Sequence, residues 1–263
     1  MTGPRDRRRG RTESLRLVAA GVVGLLVFVL AWEALVRILD VRPFVLRAPS
    51  KIVPELVDGP RFFLDHTLTT GGHALVGILI ALACALLVGA VLATSRFLEH
   101  ASQPVLTLIL VTPWVAYINS VVIWLDSGTP PVLFMVAFVS FPAFTFGTVA
   151  GLRSADPSAR ELLASVEASR LEVLWRLRLP SALPSLFTAA RFNIGLGLAA
   201  AYFTEGAALS PAGLGWVGRR AIAFNNGDLL WAAILCTAVL GVVGLTLVTL
   251  FERFLLGWHV SQR

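Results

Sequence analysis

The sequence predicts an all-α, polytopic membrane protein with six transmembrane helices. Of its 263 residues, 56% are hydrophobic and 14% are charged, whereas about a quarter of the residues in a soluble domain are charged. A membrane-spanning helix needs roughly 20 apolar residues. These runs are apolar on all sides, which favours helices over the alternating pattern of a β-barrel. The six predicted spans are residues 17–36, 68–93, 105–125, 132–152, 183–209 and 229–251.

The first span follows a basic tail and is predicted to be retained. The sequence RDRRRGR before an apolar run is typical of a signal peptide, but this run is too long for one. It is followed by Trp32, Glu33 and Arg37 instead of a cleavage site made of small residues. We therefore predict a basic tail of residues 1–16 and a single transmembrane domain of residues 17–263, with no separate soluble domain.

Cysteine and charge content bear on the kinds of site to expect. Cys84 and Cys236 lie inside predicted spans, where cysteine packs as a small apolar side chain. We therefore expect no disulfide, no metal site and no cofactor. The net charge is +6, but six of the 22 basic residues precede the first span. We interpret them as topology signals and expect no nucleic acid partner.

The basic residues also predict the orientation. With the N-terminus inside, 14 basic residues fall in inside segments and six in outside segments, and cytoplasmic loops carry the excess of Lys and Arg. Both termini, and the polar segment 155–184 between the fourth and fifth spans, are therefore expected in the cytoplasm. The outer loops either dock an external partner or serve as connections.

The polar segment 155–184 predicts a site for a soluble partner. It carries four acids and, counted from Arg153, five Arg. Asp156-Pro157 and Ser158 to Glu161 both have the pattern of a helix start, and the choice between them stays open. Two short amphipathic helices are expected; the alternative is a helix pair lying in the lipid headgroups. Their apolar residues are Leu162, Leu163, Val166, Leu171, Leu174 and Leu177.

Polar and aromatic residues inside the spans are candidates for a solute pathway, because polar groups are costly in lipid. Pro113 is expected to break the third span, so that the residues after it line a cavity. Lipid-facing aromatic side chains are the alternative there, and plain exposure to water is the alternative for Glu205. The candidates are Trp114, Tyr117, Asn119, Asn193 and Glu205.

Residue spacing predicts three further contacts. Glu33 and Arg37 are four residues apart and form a local pair. Arg191 meets acids of the polar segment. Gly195 and Ala199 lie on a face of small residues that contacts another helix, within the chain or at a dimer interface.

The polar segment resembles the cytoplasmic loop of permease subunits of binding-protein-dependent ABC importers. That loop has the form EAA, three residues, Gly, about ten residues and Leu-Pro. Glu161 takes its first position, Ala168-Ser169 match the Ala-Ser that often follows the Gly, and Leu179-Pro180 close the motif.

The loop also departs from that motif. Leu162 and Leu163 stand where two Ala are usual, and Glu167 stands where Gly allows the turn. A residue other than Gly in a left-handed conformation costs roughly 1–2 kcal/mol. Glu167 therefore weakens the expectation of full coupling to an ATPase.

The resemblance extends over nearly the whole chain and is greatest to the nitrate/sulfonate/taurine group, which includes thiamine-precursor and riboflavin importers. Two positions differ, with His73 where Arg is common and Asn119 where Pro is expected. The matching stretches are HTLTTGGHALVG at residues 66–77, TPWVA at 112–116, IWL at 123–125, Glu205, GLG at 213–215, and Glu252 with Trp258.

This resemblance implies a type I ABC importer permease in a bacterial inner membrane, carrying a small organic or anionic solute. Two cytoplasmic ABC ATPase subunits would grip the loops, an extracytoplasmic binding protein would dock outside, and a second permease subunit would complete the pathway in the bilayer. The chain has no GxxxxGK loop and is not expected to bind ATP. The implied ATPase-coupling residues are Glu161, Leu162, Leu163, Val166, Glu167, Ala168, Ser169, Leu179 and Pro180.

Two other functions stay open at this point. The chain could be a degenerate partner permease in a heteromeric importer, which Glu167 favours. It could also be a secondary transporter that works without an ATPase, although such proteins need coupling residues at the membrane midplane and often an internal repeat. A membrane-embedded enzyme would need a cluster of His, Cys or acids, whereas the four His are scattered at the span ends.

Overall fold

The computed structural model describes residues 4–42, 45–208 and 210–256. Trp258 and Leu209, which belong to the predicted C-terminal match and the predicted fifth span, lie outside these residues. The described residues form helices and connecting turns, without a strand. The helices are α1 Pro4–Ile38, α2 Pro49–Asp58, α3 Pro60–Leu92, α4 Arg96–Val111, α5 Ile118–Leu125, α6 Thr129–Arg153, α7 Pro157–Ser165, α8 Arg170–Val173, α9 Leu179–Ala207, α10 Leu214–Ala223 and α11 Gly227–Leu255.

Five stretches within the described residues are long and apolar enough to cross a membrane. A bent pair, Arg96–Val111 with Trp114–Leu125, makes a sixth if it counts as one span. The predicted third span, residues 105–125, lies within this pair, whose two halves meet at 83°. Pro113 explains the break, since it lacks an N–H and disfavours the helical conformation at Thr112, which is extended. The other spans are Ala19–Ile38, Pro60–Leu92, Thr129–Arg153, Leu171–Ala207 and Gly227–Leu255.

The contacts divide the chain into two units. The smaller comprises Met1–Pro60 and Ala221–Ala232. In it Glu33 pairs with Arg37 at 2.6 Å, which confirms the predicted local pair, and also accepts the Ser50 N–H at 3.0 Å. Arg47 donates two hydrogen bonds to the Asp228 carboxylate, and the one from Nη2 to Oδ2 measures 2.6 Å.

The larger unit, Arg61–Arg220 and Ala233–Arg263, has its core between α3, α6 and α9. Small residues let these helices approach closely, as in many membrane bundles. A Cβ added at Gly151 of α6 would lie 2.7 Å from the Cα of Ala182 on α9. Fully buried side chains between the helices include Ala81, Ala85, Val132, Met135, Val136, Ala200 and Ala201.

Arg191 of α9 forms an ion pair with Glu252 of α11. The prediction that it meets acids of the polar segment was wrong. Spacing along one helix does not reveal which neighbouring helix supplies the opposite charge. The pair joins two spans of the larger unit, and Glu252 is buried in that contact.

Candidate functional site

Helix α7 opens the polar segment, and Asp156 is its N-terminal cap. The Asp156 carboxylate accepts hydrogen bonds from the Ser158 backbone N–H at 2.9 Å and from the Ser158 hydroxyl at 2.8 Å. These bonds from Ser158 lower the pKa of Asp156 below its usual range, because they stabilise the charged form. Pro157 occupies the first turn. Of the two helix starts left open, Asp156-Pro157 is therefore the one used.

Helix α7 ends in a Schellman turn with Glu167 at the position usually held by Gly. The Glu167 N–H donates to the Ala164 carbonyl at 3.1 Å, and the Ala168 N–H donates to the Leu163 carbonyl at 3.0 Å. Glu167 has φ of +53°. The left-handed turn that the motif normally achieves with Gly is thus formed here by a glutamate, with the corresponding strain.

A capping box starts the next helix, α8. The Glu172 carboxylate accepts the Ser169 backbone N–H at 2.9 Å, and the Glu172 N–H donates to the Ser169 hydroxyl at 3.3 Å. Sequence analysis missed this start, although the pattern Ser-x-x-Glu carries the signal. Ser169 therefore has a structural role at the start of a helix.

The second short helix predicted in the polar segment, α8, is continuous with the long helix α9 that follows it. Residues Leu174–Arg178 are π-helical, and the Leu179 N–H donates to the Leu174 carbonyl five residues back. This wider turn joins α8 to α9. Pro180 explains its place, because a proline ring clashes with the carbonyl four residues before it in a regular α-helix.

Apolar side chains on this segment are turned to the surface. Leu162 and Val166 are each 68% exposed and lie one helical turn apart. Leu171 and Trp175 are also exposed, and Trp175 was not among the predicted residues. Of the other predicted coupling residues, Glu161, Glu167 and Ser169 are exposed, whereas Leu163, Ala168, Leu179 and Pro180 are partly buried.

A second cluster lies where α3 and α9 meet the start of α10. Glu205 of α9 is fully buried. Its carboxylate accepts hydrogen bonds from the Thr70 hydroxyl at 2.8 Å, from the Gly215 N–H at 3.0 Å and from the ring of His73 at 2.8 Å. The three donors compensate the burial of the charge.

This cluster caps helix α10. The first N–H groups of a helix have no partner within it. Here the Gly213 N–H donates to His66 Nδ1 at 2.9 Å, and the Leu214 N–H donates to the Thr70 hydroxyl at 2.7 Å. With the Gly215 N–H bound to Glu205, three successive N–H groups are satisfied by side chains of α3 and α9. A carboxylate at this end also suits the helix dipole.

This packing explains why residues 213 and 215 of the GLG sequence are glycines. Gly213 has φ of +113°, and a Cβ there would collide with the Glu205 carboxyl group. A Cβ at Gly215 would collide with the Tyr202 carbonyl oxygen. Only glycine lets the backbone approach Glu205 and Tyr202 this closely.

Comparison with known proteins identifies the family to which this architecture belongs. Residues 77–257 match the family described as "Binding-protein-dependent transport system inner membrane component". The chain belongs to this family.

Two curated permeases illustrate the similarity. Formylaminopyrimidine transport permease protein ThiX of Halalkalibacterium halodurans is 25% identical over 90% of this chain and 94% of its own length. Taurine transport system permease protein TauC of Escherichia coli is 27% identical over 93% and 91%. A chain of the bacterial alginate ABC transporter, solved in complex with an alginate pentasaccharide-bound periplasmic protein, has a TM-score of 0.55 at 15% identity over 95% of this chain and 96% of that one. It shows the same fold.

These findings confirm the predicted class. The protein is a multi-pass membrane permease subunit of an ABC importer for small solutes. Such subunits are not catalytic, and ATP is hydrolysed by separate subunits. The secondary-transporter alternative is therefore set aside.

The residues predicted to line the permease pathway are dispersed in the fold. Trp114 and Tyr117 lie in a single 3₁₀ turn after Pro113. Tyr117 lines a cavity of about 320 Å³ together with the rings of Trp124, Phe134 and Phe138, and Asn119 is exposed. By contrast, Glu205 and Asn193 are fully buried, and Asn193 donates to the Ser140 carbonyl at 3.3 Å. The predicted pathway residues thus fall into two groups. Trp114, Tyr117 and Asn119 lie at the bend after Pro113, and Asn193 and Glu205 lie on the buried side of α9.

Proposed function

We propose that this permease forms one half of a solute pathway in the bacterial inner membrane, with residues 17–263 acting as one domain. A second permease subunit forms the other half, and an extracytoplasmic binding protein delivers the solute. Both termini and the polar segment lie in the cytoplasm. The family match supports this arrangement, and the excess of basic residues in the inside segments supports the orientation.

The exposed apolar face of α7 supports docking of an ATPase at the polar segment. Leu162 and Val166 are two-thirds exposed beside the exposed carboxylate of Glu161. Apolar side chains grouped on a polar segment mark an interaction surface. In the proposed complex these two side chains pack into a groove of the ATPase, and Glu161 pairs with a cation at its rim.

Movement of the two ATPases would then act on the pathway through this contact. When ATP closes the ATPase dimer, the docked α7 helices of both permeases move together. The continuous helix from α8 through the π-helical turn into α9 carries that movement into the membrane. The cycle is a two-state equilibrium that ATP and the loaded binding protein bias.

The solute is proposed to be a small organic or anionic molecule. The relatives named above are permeases for a formylaminopyrimidine and for taurine. Both are small solutes.

A matched pair of substitutions tests the docking surface. Val166, the residue that caps the C-terminus of α7, and Val57 on α2 are both 68% exposed, and the proposed topology places them on opposite sides of the membrane. We expect Val166→Arg to weaken copurification with the coexpressed ATPase at least about tenfold, because loss of one buried apolar side chain costs about 1.5–3 kcal/mol. Val57→Arg should leave it unchanged. Glu161→Ala should also weaken it. Retention of the ATPase by Val166→Arg and Glu161→Ala would exclude docking at α7.

A second assembly, in which this chain pairs with a different permease, is favoured by one observation. Glu167 holds the strained left-handed position of the turn, so a partner with an intact Gly would carry more of the coupling. Native mass spectrometry of the affinity-purified complex decides between the two assemblies. Two copies of this chain indicate a homodimer, whereas one copy with another permease indicates the heteromer.

A further inference from the structure

The cap of helix α10 contains two histidines that use the same ring nitrogen in opposite ways. His66 Nδ1 receives the Gly213 N–H at 2.9 Å, so it acts as an acceptor. His73 Nδ1 lies 2.8 Å from a Glu205 oxygen, and a carboxylate only accepts, so this nitrogen acts as a donor. The two rings therefore respond differently to a proton.

Protonation breaks the bond that His66 makes. A neutral imidazole has one acceptor nitrogen, whereas an imidazolium has two donors and no acceptor. A proton on Nδ1 would face the Gly213 N–H, donor against donor. It would also place a positive charge at the positive end of α10. The ring is partly exposed, so a proton can reach it.

The other groups around His66 do not replace the lost bond. The ring stacks on Trp216 at 5.2 Å and meets Phe62 edge-on at 4.5 Å. Asp65 and Glu205 are the acids whose charges act on His66, and Glu205 is already bound by its three donors. The Arg220 guanidinium lies 5.3 Å from the Trp216 ring and adds positive charge on this side. The His73 bond to Glu205, in contrast, survives protonation of His73.

We propose that His66 is a positioning residue that caps α10 only while its ring is neutral, and that its protonation releases the Gly213 N–H and loosens the connection between α9 and α10. The consequence for transport rests on the proposed function. In that topology the connection lies outside, so the external pH would set the shape of the surface offered to the binding protein.

Amide hydrogen exchange of the full-length permease in lipid nanodiscs tests this proposal. We expect peptides covering residues 213–215 to lose protection about tenfold between pH 8 and pH 5, after correction for the chemical rate, as for loss of one hydrogen bond. His66→Gln, which accepts through an oxygen that does not titrate, should keep the protection at both pH values. His100→Gln on α4 is the control. His100 Nδ1 lies 2.6 Å from the Arg96 carbonyl oxygen of its own helix, so this variant should behave as the wild type.

Three outcomes would overturn the proposal. They are equal protection of the wild type at pH 8 and pH 5, a pH-dependent loss that persists in His66→Gln, and unchanged protection in His66→Ala at pH 8. If the variants do not fold, ¹⁵N NMR of histidine-labelled wild-type permease replaces them. An Nδ1 of His66 that is protonated at pH 8 contradicts the proposal. These measurements involve neither ATPase nor binding protein, so their failure is separate from failure of the proposed function.

Discussion

Glu167 stands at the backbone position that Gly usually occupies at the end of a helix. Its φ of +53° shows that the turn keeps its left-handed form although the Gly is absent. Both hydrogen bonds of the Schellman turn are formed around it. The turn geometry is therefore imposed by the ends of α7 and α8, and the strain falls on the backbone of one residue.

Glu167→Gly should stabilise the protein by about 0.5–1 kcal/mol. Glycine relieves about 1–2 kcal/mol of left-handed strain, and its greater freedom in the unfolded chain offsets part of that gain. Glu161→Gly, the same substitution inside α7, should instead destabilise by about 1 kcal/mol. Chemical unfolding of the purified variants in detergent measures both. A destabilised Glu167→Gly would show that the carboxylate makes a compensating contact.

Glu205→Ala should be among the more damaging single substitutions in α9. It removes the acceptor of the Thr70 hydroxyl and the Gly215 N–H in a fully buried place. A loss of about 2–5 kcal/mol is expected, because buried donors without an acceptor are costly. Glu55→Ala, at a partly exposed position of α2, is the control and should change stability little. Thermal unfolding followed by a thiol-reactive dye reports the difference, and equal melting of the two variants would argue against the cap.

Among the elements, the spans could be predicted because their length and apolar composition dictate helices in lipid. The break at Pro113 and the cap at Asp156 are local, and the sequence carried both signals. The π-helical turn before Pro180 and the pairing of Arg191 with Glu252 depend on how separate helices pack. The cap of α10 was missed for the same reason, since Thr70 and Glu205 are far apart in the chain.

Close contact between α6 and α9 can be tested at Gly151. A Cβ there would come within 2.7 Å of the Ala182 Cα, so Gly151→Val must push the helices apart and should cost about 1–3 kcal/mol, as overpacking does. Gly72→Val on α3 is a matched control, because no described atom outside its own helix turn lies within 4 Å of a Cβ built at that position. Size-exclusion profiles after heating compare the two. If Gly72→Val unfolds at a lower temperature than Gly151→Val, the close contact between α6 and α9 does not limit the thermal stability of the protein.

On the scale of the whole molecule, α9 has two distinct long faces. One is buried within the larger unit and includes Asn193, Gly197 and Glu205. The other is exposed and carries Phe192, Gly195 and Phe203, at successive spacings of three and eight residues. A helix that is buried on one side and apolar on the other has room for lipid or for a second protein chain.

The exposed face of α9 is expected to contact the second permease subunit. Within the described residues, no atom outside its own helix turn lies within 4 Å of a Cβ built at Gly195, and small residues at such a place allow another backbone to approach closely. Gly195→Cys and Ala199→Cys should therefore form disulfide-linked dimers on mild oxidation in native membranes, in a Cys84→Ala, Cys236→Ala background. Gly72→Cys, on an exposed part of α3, should stay monomeric. Crosslinking at Gly72 without crosslinking at Gly195 and Ala199 would move the subunit contact away from α9 and leave this face to lipid.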